Sequence, residues 1–369
     1  MNYKLQTRRA FTLIELVVAV ALLAMVLSFA SVIFKVGIGA YRTAGANAEI
    51  MQKLRAITDQ LNADFKGLRK DGEIFVVWMA VPVAYLVDAD DYDDDPDGYL
   101  RFDRIMFFAN GDFQSYHQWL VKDSSGPKIL HGNVARICYM LANVDETKAP
   151  QEQYRQKRIL ARTQHILTAA DILEDDGITL STFPHPGLFD RTLNNWYEYD
   201  KTSLEGWKNI PSEQKMSMLT AITDVYVEGS IFTEGGAIVD ITEPNSFHML
   251  LCEGVGEFKV QGWYDTEQRW VPEVDPNGNG FLTDDTDFFL VGEELDPDRV
   301  PGVLYPYPPY GRVGLGGVFE GKLFQELLNE AHFNAIPGLG RALKFTFTLY
   351  ESKRILEDGP TFTHIVYLD

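Results

Sequence analysis

Apolar and polar positions alternate in three different ways along this chain. Residues 11–34 (FTLIELVVAVALLAMVLSFASVIF) carry a single charge, Glu15. As a helix these 24 residues span about 36 Å, enough for a hydrocarbon core of about 30 Å. Further on, Ile50, Leu54, Ile57, Leu61, Phe65 and Leu68 recur every three or four residues, with Lys53, Arg55, Asp59, Lys66 and Arg69 on the other faces. That spacing predicts an amphipathic helix over 35–70, continuous with the apolar run. No proline precedes Pro82 to break it. Gly37, Gly39 and Gly45 are the points where such a rod is expected to bend or partly melt.

After Asp71-Gly72 the period falls to two. Leu343, Phe345, Phe347 and Leu349 alternate with Lys344, Thr346, Thr348 and Tyr350, and Phe362, His364, Val366 and Leu368 alternate in the same way. Gly359-Pro360 marks a turn between these two runs. Further strand segments are predicted at 74–78, 102–109, 116–121, 134–141, 158–162, 247–252 and 255–264. Residues 171–219 and 296–317 have no clear period, and 319–333 reads as a short helix. The predicted architecture is α+β: a long N-terminal helix packed on a mainly antiparallel sheet head, 71–369, with long insertions.

Charge sharpens the division. Residues 1–70 hold ten Lys/Arg against four Asp/Glu, a balance of +6, which leaves −26 on the remainder of a chain whose total is −20. Such an acidic head argues against nucleic acid as a partner, because phosphate contacts need clustered Lys and Arg. Lys4, Arg8 and Arg9 precede the apolar run and predict a cytoplasmic N-terminus with the head exported. A secretory signal has a shorter apolar stretch, about 7–15 residues, ending in small residues. A plain signal anchor fits the length and leaves Glu15 unexplained, since a carboxylate inside a bilayer costs about 2.5–3.5 kcal/mol on insertion scales.

The segment Arg8-Arg9-Ala10-Phe11-Thr12-Leu13-Ile14-Glu15-Leu16 resembles the processing and methylation motif of type IV prepilins and type II secretion pseudopilins. The resemblance implies a leader at 1–10 and cleavage between Ala10 and Phe11 by a prepilin peptidase. It also implies methylation of the new Phe11 amine and a transmembrane helix at 11–34. Glu15 is then the carboxylate that meets the Phe11 amine of a neighbouring subunit during assembly. Ala10 departs from the glycine usual in the family before the cut. Losing the leader removes three positive charges and takes the formal charge to −23.

The head carries a weaker resemblance, spread over its length. Val134-Ala-Arg-Ile-Cys-Tyr-Met-Leu141, Leu250-Leu-Cys-Glu-Gly-Val255 and Arg341-Ala-Leu-Lys-Phe-Thr-Phe-Thr-Leu349 are similar to stretches of the minor pseudopilin J and of the related pilus subunit W. What this implies is a structural subunit without catalytic activity. It would sit in the inner membrane with a periplasmic head, pairing with I- and K-type minor pseudopilins and with the major pseudopilin. A minor type IV pilus subunit, acting in adhesion or DNA uptake, is the alternative; an enzyme on a prepilin-like anchor is a remoter one.

Two acidic loops follow D-x-[DN]-x-[DN]-G: Asp93, Asp95, Asp97 before Gly98, and Asp275, Asn277, Asn279 before Gly280. That spacing turns alternate oxygens inward and makes Ca²⁺ the candidate cofactor. Position twelve is Arg104 or Thr286 rather than Glu, so solvated acidic turns compete with the calcium reading. Cys138 and Cys252, both in predicted strands of an exported head, are a candidate disulfide, with two buried thiols as the competing reading. The seven histidines form no HExxH and no closely spaced pair, and read as surface or strand residues. No GxSxG, GxxxxGK[ST] or CxxC occurs. The Pro- and Tyr-rich segment 304–310 reads as a rigid connection.

Overall fold

The computed structural model describes residues 12–69, 74–77, 80–82, 99–142, 154–173, 177–178, 180, 198–201, 203–209, 248–264, 268–271, 273–274, 288–289, 342–353, 355–356 and 358–368. Its first element is helix α1 (Leu13–Lys66), 54 residues long. At 1.5 Å per residue that is a rod of about 80 Å. It passes through Gly37, Gly39 and Gly45 without a break, so the expected melting is absent. Each glycine costs about 1 kcal/mol relative to alanine, and established helix on both sides carries the chain across.

The rod ends at Lys66, four residues earlier than its apolar stripe suggests, because the next residues dock on the head. Asn110 donates its backbone N–H to Gly67 O at 2.6 Å, and Leu68 bridges Ala109. A Cβ on Gly67 would sit 2.1 Å from the Asn110 carbonyl oxygen. Leu68 therefore belongs to the core as a strand-like residue rather than a helical one.

Fourteen strands follow among the described residues. In chain order they are β1 (Phe75–Val77), β2 (Ala80–Pro82), β3 (Tyr99–Arg101), β4 (Arg104–Leu120), β5 (Pro127–Ala142), β6 (Ile159–Leu167) and β7 (Tyr199–Asp200). After the short helix α2 (Leu204–Lys208) come β8 (Leu250–Glu253), β9 (Val255–Tyr264), β10 (Arg269–Val271) and β11 (Glu273–Val274). The last three are β12 (Phe288–Phe289), β13 (Ala342–Leu349) and β14 (Thr361–Tyr367). One sheet runs β1-β4-β5-β6-β7, with β8 also paired to β6, and a second runs β10-β9-β13-β14. All their pairings are antiparallel except β6 with β7. The α+β expectation agrees with this architecture.

The strand expectations hold best where alternation is cleanest. β13 buries Leu343, Phe345, Phe347 and Leu349 completely, as the period of two requires. The segments 102–109 and 116–121 turn out to be parts of one long strand, β4. Its ladder with β5 slips between Asn110 and Phe113 and again between Gln114 and Gln118. Such bulges absorb extra residues and re-aim side chains without ending the strand. In the stretch read as irregular, the structure finds β7 and α2. Trp207 of α2 is buried and donates its indole N–H to Asp200 at 3.2 Å.

Both sheets and the second half of α1 share one core. Ile50, Ile57, Leu61 and Phe65 pack with Phe107, Ile137, Tyr139, Phe258, Phe345 and Phe347. The Phe65 ring stacks on Phe107 at 4.2 Å between centroids. Each such side chain contributes about 1.5–3 kcal/mol by leaving water, which is why the helix cannot slide without losing several of them.

Cys138 and Cys252 are both free thiols and both buried, so the structure corrects the disulfide expectation. Cys138 lies on β5 opposite Thr163 of β6, and Cys252 lies on β8 opposite Leu160 of the same β6. One strand thus separates them, a spacing of about 9–10 Å before the register offset is added. A bridge needs Cα atoms within about 7 Å. Burial pushes each thiol up to about 12, which makes both inert near neutral pH. Both Ca²⁺ loops (Asp93, Asp95, Asp97 and Asp275, Asn277, Asn279), the predicted helix 319–333, the segment 304–310, and the pair Ala10 and Phe11 lie outside the described residues.

Candidate functional site

The feature that sequence singles out most sharply, Glu15, stands in the first turn of α1. Thr12 is the N-cap, in an extended conformation, and its hydroxyl oxygen accepts the Glu15 backbone N–H at 3.3 Å. Glu15 Oε2 in return accepts the Thr12 backbone N–H at 2.9 Å and the Thr12 hydroxyl at 2.8 Å. This is a reciprocal capping box, in which a carboxylate neutralises the positive end of its own helix and satisfies N–H groups that lack intrahelical partners. Both bonds end on Oε2; among the described residues nothing donates to Oε1. The pattern Thr-x-x-Glu was present in the sequence as a cap signature, and reading Glu15 only as a charge in an apolar run missed Thr12.

Behind this cap the helix is apolar on every face as far as Phe34, and covered on none. Every residue from 13 to 45 is exposed except Ala30, which is half-buried. Leu13, Val26, Phe29 and Phe34 are each more than 60% exposed. A helix that is hydrophobic all round belongs in an apolar surrounding, and this one is long and apolar enough to cross a membrane.

From Ala46 onward the same helix changes partner. Ala46, Ile50, Ile57, Leu61 and Phe65 are buried against the sheets, with Leu54 packed beside them, as the stripe predicts. Polar clamps fix its rotation. Asp64, only 5% exposed, accepts from Arg162 Nε at 2.6 Å and from Arg162 Nη2 at 2.7 Å, and it accepts the Tyr139 hydroxyl as well. Burial holds the Tyr139 phenol well above its ordinary range, and the Asp64 charge adds to that. For Arg162, burial pulls downward, and the bonds and charge of Asp64 more than offset it, so the guanidinium is raised overall. Lys53 Nζ donates to the Tyr350 carbonyl at 2.7 Å, and Glu49 accepts the Ser352 backbone N–H at 3.0 Å. His364 Nε2 lies 2.9 Å from Asn62 Oδ1.

Gly254 completes the grip from the head side. It joins β8 to β9 at φ +73°, and a Cβ there would sit 2.6 Å from the Tyr350 carbonyl oxygen. Tyr350 donates its N–H to Gly254 O at 2.8 Å. The loop that receives Lys53 is thus tied to the strand pair it borders.

The chemistry of this arrangement is associative. One end of the rod offers a capped carboxylate on a greasy helix, while the other end is locked to a folded head. Residues 5–31 match a family model described as a prokaryotic N-terminal methylation motif. The chain therefore has a type IV prepilin-like N-terminus, and the match takes in Ala10, Phe11 and Glu15. Comparison with curated proteins returns no match, and comparison with solved structures returns none either.

Proposed function

From a type IV pilin-like protein with this N-terminus, we propose a minor pseudopilin of a type II secretion system, a structural subunit of the pseudopilus tip with no catalytic role. The observation that carries the reading is the single helix whose Glu15-headed half is bare and whose other half is clamped into a β-rich head. A prepilin peptidase cuts between Ala10 and Phe11 and methylates Phe11. Residues 11–34 cross the inner membrane with the N-terminus cytoplasmic and the head periplasmic. I- and K-type minor pseudopilins and the major pseudopilin are the partners.

The capping box adds a mechanism. Cleavage before Phe11 leaves the Thr12 N–H an amide, so Glu15 keeps both bonds at Oε2 after processing. Oε1 then receives the Phe11 amine of a neighbour. A carboxylate in a low-dielectric surrounding is costly without a counter-charge, so this pairing favours lateral assembly. Self-capping lowers the cost of waiting in the monomer, and the neighbour's charge completes it.

Deleting the protein's gene and restoring it tests the role. The expected result is that exported proteins accumulate in the periplasm, and that the intact chain restores release while Glu15→Val does not. Normal secretion with lost pili or lost DNA uptake instead assigns the chain to a type IV pilus.

A further inference from the structure

The head contains a second constellation, remote in sequence from anything the helix uses. His117 of β4, Glu198 just before β7 and His248 just before β8 each offer one ligand atom, and those atoms lie within 4.8 Å of one another. The spacing along the chain is 81 residues between the first two and 50 between the last two (248 − 198), which explains why no motif exposes it. The sequence reading of these histidines as surface or strand residues had no means of bringing them together.

The site is built rather than accidental in its support. Glu198 is 1% exposed. Its Oε1 accepts the Tyr116 backbone N–H at 2.6 Å, and its Oε2 accepts the His117 backbone N–H at 2.8 Å. Those N–H groups face Glu198 because β4 slips its register with β5 between Gln114 and Gln118. Ser115 holds the bulge from the other side: its hydroxyl donates to His117 O at 2.6 Å and accepts the Leu130 N–H at 2.9 Å. The two imidazoles stand edge to face, 83° apart with centroids 5.3 Å apart, and the Tyr116 ring packs 5.5 Å from His248. His117 Nδ1 is 2.8 Å from Glu198 Oε2, and the His117 side chain is 28% exposed, so solvent reaches the site.

The geometry points to a Zn²⁺ site formed by His117, Glu198 and His248. Two imidazoles and one carboxylate are a donor set that suits Zn²⁺ at bond lengths of about 2.0–2.2 Å, which puts neighbouring ligand atoms about 3.3 Å apart. The His117–Glu198 pair is already inside that distance. His248, whose ligand atom lies within 4.8 Å of the other two, moves in to complete the set, and the proton between His117 Nδ1 and Glu198 Oε2 leaves to solvent as the cation takes its place. Three protein ligands leave the fourth position to water. The ion adds a cross-link among β4 and the starts of β7 and β8, segments far apart in the chain that the sheet and Glu198 already bring together. Closing loops of that length is where a metal clip stabilises most. Its role is thus to fasten the head, and it is independent of the assembly reading.

The test is calorimetric titration of the full chain in detergent with Zn²⁺ alone, alongside His248→Ala and His117→Gln; the glutamine keeps an N–H for Glu198, so the bulge is retained. We expect one Zn²⁺ per chain and a raised unfolding midpoint. Each variant should weaken binding more than about 100-fold, beyond what losing a merely supporting group costs. His131→Ala and His364→Ala should bind as the parent does. Visible absorption of the Co²⁺-loaded parent should show four-coordinate bands that His248→Ala lacks. Absent binding, or Zn²⁺ binding equal in parent and both variants, overturns the site and leaves Glu198 as a support for the β4 bulge only.

Discussion

Residues 13–45 and 46–66 of α1 belong to one unbroken helix, yet they answer to different surroundings. The first part exposes leucine, valine and phenylalanine in all directions as far as Phe34, and within that run its one charge, Glu15, is bonded to its own cap. The second part buries a single stripe and turns lysines, arginines and acids outward or into clamps. The backbone is the same in both, so the difference lies in where each segment's apolar surface can go. A stripe can be covered by one sheet, whereas a fully apolar cylinder needs lipid or other cylinders all round. The continuous helix couples the two: a head clamped to its second half is carried rigidly by whatever holds the first.

Four experiments would break or sharpen that contrast. The largest effect is expected at Glu15. Glu15→Val should abolish incorporation into the assembled fibre, read by shearing and fractionation, while the head's unfolding midpoint in detergent stays unchanged. Next comes Asp64→Ala, which leaves the buried Tyr139 hydroxyl and the half-buried Arg162 without their shared acceptor. A broken buried pair costs about 3–5 kcal/mol, measurable by denaturant unfolding of the full chain. A loss under about 1 kcal/mol would mean that this clamp does not fix the helix.

A pair of truncations compares the halves directly. Leu61→Ala, in the buried stripe, should cost about 2–5 kcal/mol. Leu23→Ala, in the bare half, should change head unfolding by no more than about 0.5 kcal/mol. Equal effects would contradict the division of labour. The smallest effect concerns pH. Burial holds the His364 imidazole below its ordinary range, so the folded state resists a proton that the unfolded chain accepts. The contribution is therefore fully present above about pH 6.5 and declines as pH falls through that value toward the lower folded pKa. Subtracting the pH profile of His364→Gln from that of the parent should leave a difference that grows as pH rises through this range; a difference that shrinks as pH rises would contradict it.

The elements that sequence reveals are those whose burial follows a simple period. The stripe from Ile50 to Phe65 and the alternation of Leu343 to Leu349 were both readable, because one face of each meets one core. The end of α1 was not, since Gly67 stops the helix through its approach to Asn110, a residue 43 positions away. Nor was the length of β4: bulges break the period of two while the ladder continues. At the N-terminus, Glu15 was legible as an anomaly, and Thr12 could have been found by the cap pattern. The Asp64–Arg162–Tyr139 clamp and the His117–Glu198–His248 cluster depend on pairings between distant strands, which no local pattern encodes.

The central claim is that a bare apolar rod headed by Glu15 becomes an assembly element once the segment before Phe11 is removed. Mass analysis of the N-terminal peptide from membrane-extracted protein tests it most directly. A peptide beginning at methylated Phe11 is the predicted result. A peptide beginning at Met1, from chains that are functional in the membrane, would contradict it.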